Sequence, residues 1–381
     1  MTHLSRTPRL PPPVLITRPA QLALLMAALR EQPAIAVDTE SNSLHAYQEQ
    51  VCLIQFSTPQ ADYLVDPLAD LDLSPLGELF ANPAIEKVFH AADYDIACLK
   101  RDFGWSFANL FDTQWAARIL GWSQVGLASI LKTHFNVHVN KKWQRFNWGE
   151  RPLPTEALDY ARLDTHYLLP LRDRLLAELR SRGRLEEARE VFAELTAIEP
   201  HFSSFTPDDF WRIRGAWDLD PQGQAILRRL AIWRDREARR RNRPPFKVLG
   251  DSTLVALARV RPDRTEAMIG IPGLKEHHIR RYGSALLRAI REGKKDPPPP
   301  PPPRPPRPDE IAILRYEALR EWRRQVAARR GVDPDVVISN AALWTIASHA
   351  PSSPEALAEL GVLGPWKLRT YGEALIQVLH S

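Results

Sequence analysis

Asp38 and Glu40 close a short apolar run, Ile35-Ala36-Val37, of the kind that forms a β-strand. Side chains alternate along a strand, which puts both carboxylates on one face about 6 to 7 Å apart. Paired carboxylates repel each other, and against a core they need a cation; hard divalent ions suit such oxygen ligands. A solvated strand end is the plainer account of the same pair. Tyr160 and Asp164 form a second candidate, spaced i, i+4 in a helical pattern that begins near Thr155. That spacing stacks a phenol and a carboxylate on one helix face, where both can meet one reacting centre. An exposed aspartate beside a half-buried tyrosine is the alternative there. Between these pairs runs Val88-Phe89-His90-Ala91-Ala92-Asp93-Tyr94-Asp95, a strand leading into a helix. Successive helical residues turn by about 100°, so Asp93 and Asp95 point to nearly opposite sides. Asp95 is the better-placed ligand, and Asp93 reads as the helix cap.

These residues need a scaffold that brings distant segments together. Short runs rich in Val, Ile or Phe at 34–38, 51–56, 63–66 and 87–90 read as strands. Apolar residues at three and four spacing over 21–30, 93–100, 112–120 and 155–179 read as helices. Strands clustered early among helices predict an α/β domain, a mixed sheet flanked by helices, over residues 1–200.

Downstream the sequence repeats itself at an offset of 89. Trp233-Arg234 matches Trp322-Arg323, Arg240-Arg241 matches Arg329-Arg330, and Tyr282-Gly283 matches Tyr371-Gly372. Apolar residues at helical spacing, broken by Pro and Gly, predict two copies of one short-helix bundle at 210–294 and 309–381, with the shared Trp and Tyr in their cores. Seven consecutive prolines at 297–303 mark the joining segment, 295–308, as an extended polyproline spacer; a docking site for a proline-binding partner is the sharper alternative.

Charge is unevenly distributed. Residues 210–296 carry 21 basic and 10 acidic groups, against 8 and 9 in 309–381 and 20 and 27 in 1–209. A net +11 over one small bundle is an electrostatic footprint for a polyanion, so the first copy is expected to supply most phosphate contacts. Lys141, Lys142 and Arg145 are further candidate contacts to a nucleic-acid strand, with a solvated basic loop as the alternative. Cys52 and Cys98 are the only cysteines and lie in apolar surroundings, which excludes a disulfide framework or a cysteine-based zinc site and fits a reducing cytoplasm. The amino terminus lacks the apolar core of a signal peptide, no run approaches membrane-spanning length, and no Gly-x4-Gly-Lys-Ser/Thr loop for a nucleoside triphosphate occurs.

In order and spacing these motifs resemble the ribonuclease D family of DEDD exonucleases, over nearly the whole chain. Asp38-Thr39-Glu40 matches the first motif, His90 with Asp95 the second, and Tyr160 with Asp164 the tyrosine form of the third. Cys52-Leu53-Ile54-Gln55, Phe111-Asp112-Thr113-Gln114 and Arg151-Pro152-Leu153 are similar locally, and the two repeats resemble HRDC domains. Phe146-Asn147-Trp148 departs from the family's usual Ser-Asp-Trp, which bears on substrate contacts there. The resemblance implies a ribonuclease H-like sheet followed by two all-α HRDC bundles. It also implies a 3′→5′ exoribonuclease that releases nucleoside 5′-monophosphates with two divalent ions, Mg²⁺ or Mn²⁺. Asp38, Glu40, Asp95 and Asp164 would be the ligands, with Tyr160 orienting the attacking water. A cytoplasmic monomer acting on RNA, tRNA precursors above all, is the implied setting. A 3′→5′ DNA exonuclease and a catalytically idle RNA-binding adaptor are the competing readings.

Overall fold

The computed structural model describes residues 10–200, 204–303 and 309–380. By contacts the chain divides into two compact units. One joins Met1–Ser41, Val51–Pro200 and Arg307–Ser381; the other joins Asn42–Gln50 and His201–Pro306.

Among its described residues the first unit is built on six strands: β1 (Val14–Ile16), β2 (Ala34–Ser41), β3 (Val51–Ser57), β4 (Asp62–Val65), β5 (Glu86–Phe89) and β6 (Leu110–Asp112). Their order in the sheet is β1-β4-β3-β2-β5-β6. The central β2 and β3 pair antiparallel, with Asp38 opposite Gln55 and Glu40 opposite Leu53, while β5 and β6 run parallel to β2. Every residue of β3 is buried, as is Ile35-Ala36-Val37 of β2, because helices cover both faces. The mixed sheet expected from the sequence is therefore present, with two small outer strands, β1 and β6, that the sequence reading passed over. β6 ends where a helix over 112–120 was expected to start. Asp112 closes the strand and caps the helix instead, its carboxylate accepting from the Trp115 amide at 2.8 Å.

Among the described residues nine α-helices flank the sheet: α1 (Pro19–Arg30), α2 (Ser74–Ala81), α3 (Asp93–Phe103), α4 (Thr113–Leu120), α5 (Leu127–Phe135), α6 (Thr155–Ala161), α7 (Leu163–His166), α8 (Leu168–Ser181) and α9 (Leu185–Thr196). The single helix expected over 155–179 is thus broken at Arg162 and Tyr167. Pro170 accounts for the second break: it has no amide for the His166 carbonyl and is tolerated only in a first helical turn. Arg162 keeps right-handed helical dihedrals (φ −63°, ψ −24°), so Tyr160 and Asp164 stay on neighbouring turns.

The two repeats fold alike. Helices Pro221–Arg240, Pro245–Val248, Asp251–Val260 and Glu276–Gly293 recur as Glu310–Arg330, Pro334–Val337, Asn340–His349 and Pro365–His380. In each core a tryptophan meets a tyrosine edge-on, Trp233 with Tyr282 and Trp322 with Tyr371, and the tyrosine hydroxyl takes a hydrogen bond from Arg241 or Arg330. The second copy shares the first unit with the sheet domain. Val336 joins the sheet domain's core, and Arg330, Lys367 and Arg369 pair with Glu187, Glu194 and Glu186 of α9. In the other unit Tyr47 donates its hydroxyl to Asp235 at 2.5 Å. Pro297–Pro303 form neither helix nor strand, and the rest of the spacer, residues 304–308, lies outside the described residues. Cys52 and Cys98 are both buried. No helix among the described residues is long and apolar enough to cross a membrane.

Candidate active site

Three segments deliver the acidic side chains. β2 carries Asp38 and Glu40 on one face, both half-buried. Thr39, between them, donates its hydroxyl to Asp95, which enters from the first turn of α3. α3 begins at Asp93, but Ala92 holds the cap position and no side chain caps the helix. Asp93 is an exposed first-turn residue rather than the cap, whereas Asp95 is turned inward and only 7% exposed. The turn before it is fixed from β6, since Asp112 accepts the Ala92 amide at 2.7 Å. Next to it His90 meets the Thr113 hydroxyl at 2.9 Å through Nδ1, and burial lowers its pKa to about 4, so it stays neutral. Asp164, on α7, completes the set.

The four carboxylates act on one another electrostatically. Burial, and then Asp95, Asp164 and Glu40, push Asp38 well above the usual carboxylate range. Burial, Asp164 and Asp95 do the same to Glu40. Burial raises Asp95 to about 7 against the opposing Thr39 hydrogen bond, and burial with Asp95 raises Asp164 to about 7. No lysine or arginine among the described residues forms an ion pair with any of the four, although acids elsewhere in this unit, such as Asp66 and Glu187, have arginine partners. Clustered, partly desolvated carboxylates without a protein cation suit divalent ions, which prefer oxygen ligands. Among the described residues no group of three or more His, Cys, Asp or Glu side chains is placed so that it could hold a metal ion.

Tyr160 stands beside this set. Burial, then Asp164, Glu40 and Asp38, hold its hydroxyl pKa far above the ordinary phenol value, so it remains protonated; a hydrogen bond with Gln144 opposes the rise. Its ring lies near that of Trp148, with centroids 6.3 Å apart and planes 27° from parallel, and Trp148 is 1% exposed. The buried ring behind the tyrosine is thus Trp148, the residue that Phe146-Asn147-Trp148 shares with Ser-Asp-Trp, while the departure itself is confined to Phe146 and Asn147. Arg151 secures that loop: it bonds both Asp66 oxygens at 2.7 Å, the Trp148 carbonyl at 2.6 Å and the Cys52 carbonyl at 2.7 Å.

Of the basic candidates, Lys142 and Arg145 are exposed on the 3-10 turn Lys141–Arg145, with Lys142 over the Trp143 ring at 4.8 Å. The Lys141 side chain lies outside the described set. Sequence reasoning missed Thr39, Gln144 and the support from Asp112, because each acts through a partner distant in sequence. Gln55 was noted only as part of a local resemblance. It sits opposite Asp38, wholly buried, and neither polar atom of its side-chain amide has a hydrogen-bond partner among the described residues.

A mixed sheet with coupled acids from three segments defines the class: residues 13–180 match the 3′-5′ exonuclease family, and residues 223–290 and 314–379 match the HRDC domain family. Ribonuclease D of Nitrobacter hamburgensis is 31% identical over 373 residues, covering 96% of this chain and 95% of that protein. The chain belongs to the ribonuclease D family. The crystal structure of Escherichia coli RNase D, an exoribonuclease involved in structured RNA processing, superposes with a TM-score of 0.66 at 27% identity, over 97% of this chain and 98% of that one. The exosome complex exonuclease RRP6 of Saccharomyces cerevisiae is 32% identical over 299 residues, 74% of this chain but 41% of the larger protein. The chain is accordingly a 3′→5′ exoribonuclease, one of a family of nucleases that use divalent metal ions.

Proposed function

We propose that Asp38, Glu40, Asp95 and Asp164 are the ligands of two divalent ions, Mg²⁺ or Mn²⁺, at the 3′ end of an RNA strand, and that Tyr160 positions the water that attacks the last phosphodiester. The observation that carries this reading is the mutual electrostatic coupling of four carboxylates that form no ion pair with a lysine or arginine among the described residues. When bound, such ions supply positive charge to the scissile phosphate and acidify a water. The chain's own contribution is positional. β2 presents two carboxylates, Thr39 orients Asp95, and Trp148 with Gln144 steadies a phenol that stays protonated and able to donate. Lys142, Arg145 and Lys141 would meet the incoming strand.

The organisation that supports this is a catalytic domain at 1–200, a basic HRDC domain at 210–294, a spacer at 295–308 and a second HRDC domain at 309–381. Nucleoside 5′-monophosphates are the expected product. The 3′ ends of tRNA precursors are the expected substrates, in the cytoplasm and with the chain as a monomer. The test is metal-dependent release of mononucleotides from a 3′-labelled RNA. Wild type should release them with Mg²⁺ or Mn²⁺, and Asp38→Asn should bind RNA while releasing none. Retained cleavage by Asp38→Asn would overturn the ligand assignment.

A further inference from the structure

The two HRDC copies share a fold, so residues 89 apart occupy equivalent places and each copy is a control for the other. In the first copy, helices Pro221–Arg240 and Glu276–Gly293 leave a groove of about 340 Å³ between them, lined by Arg229, Arg236 and Arg288 over Ile232 and Trp233. It adjoins a second hollow that shares Ile232 and Arg236 and adds Arg239. Three acids attend this surface: Glu292 lies along the same wall, 3.7 Å from Arg229, Asp296 holds the Arg229 guanidinium through both its oxygens, and Asp235 lines the second hollow 3.9 Å from Arg239.

The equivalents of Arg229, Arg236, Arg239 and Arg288 in the second copy are Ala318, Gln325, Ala328 and Gln377. All four arginines are absent there, although the tryptophan, the tyrosine and the arginine that bonds the tyrosine are present in both copies. The fold therefore does not need them. Nor does internal pairing explain them all, since Arg236 and Arg288 are exposed and form no ion pair among the described residues.

Resting on the exoribonuclease reading above, we propose that this groove of the first HRDC copy is a track for single-stranded RNA. Arg236 and Arg288 would contact successive phosphates, Arg229 and Arg239 would extend the positive wall, and the exposed edges of Ile232 and Trp233 would receive ribose and base. Unpaired guanidiniums suit phosphate oxygens, and an apolar floor suits the unstacked bases that a duplex hides. The second copy, without this wall, is spared for its contacts with α9.

The test measures binding of a labelled oligouridylate to the full chain in EDTA across a salt series. Arg236→Gln with Arg288→Gln installs the second copy's own residues and so preserves the fold. This pair should weaken binding at least fivefold and flatten the slope of log affinity against log salt by about 1.4, the loss of two single-strand phosphate contacts. Arg259→Gln with Arg264→Gln removes the same charge from exposed positions of the same bundle outside the groove, and should change affinity less than twofold. Equal losses from both pairs would overturn the track in favour of a diffuse positive field; no loss from the first pair would overturn it outright. Binding in EDTA does not depend on the carboxylate assignment, which is read by cleavage, so either proposal can fail while the other stands.

Discussion

Arg330 of the second HRDC copy meets Glu187 of α9 at 2.6 Å, and Glu187 is 1% exposed. Burial pushes the Glu187 carboxyl up even against this guanidinium, so desolvation is a large part of the balance. The matching residue of the first copy, Arg241, finds its carboxylate four residues back on its own helix, Glu237 at 2.9 Å. In the second copy that position is Val326 and the acid comes from the sheet domain. Removing one partner strands the other in a poorly solvated place, a loss of about 3 kcal/mol. Urea unfolding of Arg330→Met should show it, and the double variant Arg330→Met with Glu187→Leu should lose less than the two single changes added together. Strict additivity would mean that the pair is uncoupled.

The acidic site should set both pH dependence and metal response. Asp95 and Asp164 have folded pKa values of about 7, above their unfolded values near 4. Between those limits the folded state holds more protons than the unfolded state, so stability of the metal-free chain falls as pH rises from about 4 to 7. Divalent ions need the deprotonated carboxylates, so activity should rise through pH 7 while EDTA abolishes it. Mg²⁺ should raise the melting temperature more at pH 8 than at pH 5.5. A larger thermal shift at pH 5.5 would contradict the proton linkage.

Tyr160→Phe removes one hydroxyl from a ring held by Trp148 and leaves the packing in place. If the phenol orients the attacking water, kcat on a short RNA should fall about 10²-fold with little change in KM or melting temperature. Gln144→Leu, which removes the hydrogen bond to that hydroxyl, should produce a smaller fall in kcat. A tyrosine serving only as core would instead show lowered stability with kcat nearly intact.

Arg151 makes five bonds that a lysine cannot reproduce, because they need a planar fork reaching Asp66 and three carbonyls together. Arg151→Lys should cost about 2 kcal/mol in denaturant unfolding, and kcat should fall as the Trp148 loop behind Tyr160 loosens. An unchanged unfolding midpoint would show that the fork is dispensable.

The legible parts of this molecule were those written as local patterns. Ile35-Ala36-Val37 announced β2, the 89-residue offset announced two equal bundles, and the i, i+4 spacing of Tyr160 and Asp164 survived a break in their helix because Arg162 kept helical dihedrals. What escaped were features decided by distant partners. β1 and β6 have three residues each, too short for a period, and hold only through pairing with β4 and β5. Asp112 looked like a helix residue until β6 claimed it. Asp93 looked like a cap, yet the turn is fixed by Asp112 accepting the Ala92 amide from 20 residues away. That α9 would receive the second bundle depended on Glu187, Glu190 and Glu194 lying on one helix face, whose partners are more than 140 residues further on.

Thr39 offers the sharpest separation of electrostatics from packing. Its hydroxyl bonds to Asp95 across 56 positions of sequence and favours the charged carboxylate, against the burial that raises its pKa. Thr39→Val keeps the shape and the β-branch but removes the donor, so Asp95 should hold its proton to a higher pH. The acidic limb of the kcat/KM profile should then move to higher pH, and more Mg²⁺ should be needed for half-maximal activity at pH 7 than at pH 8.5. Thr39→Ser restores a hydroxyl and should return the limb most of the way to its wild-type position. If Val and Ser give the same profile, the hydroxyl does not tune Asp95, and the sequence pattern Asp-Thr-Glu owes its middle residue to strand packing alone.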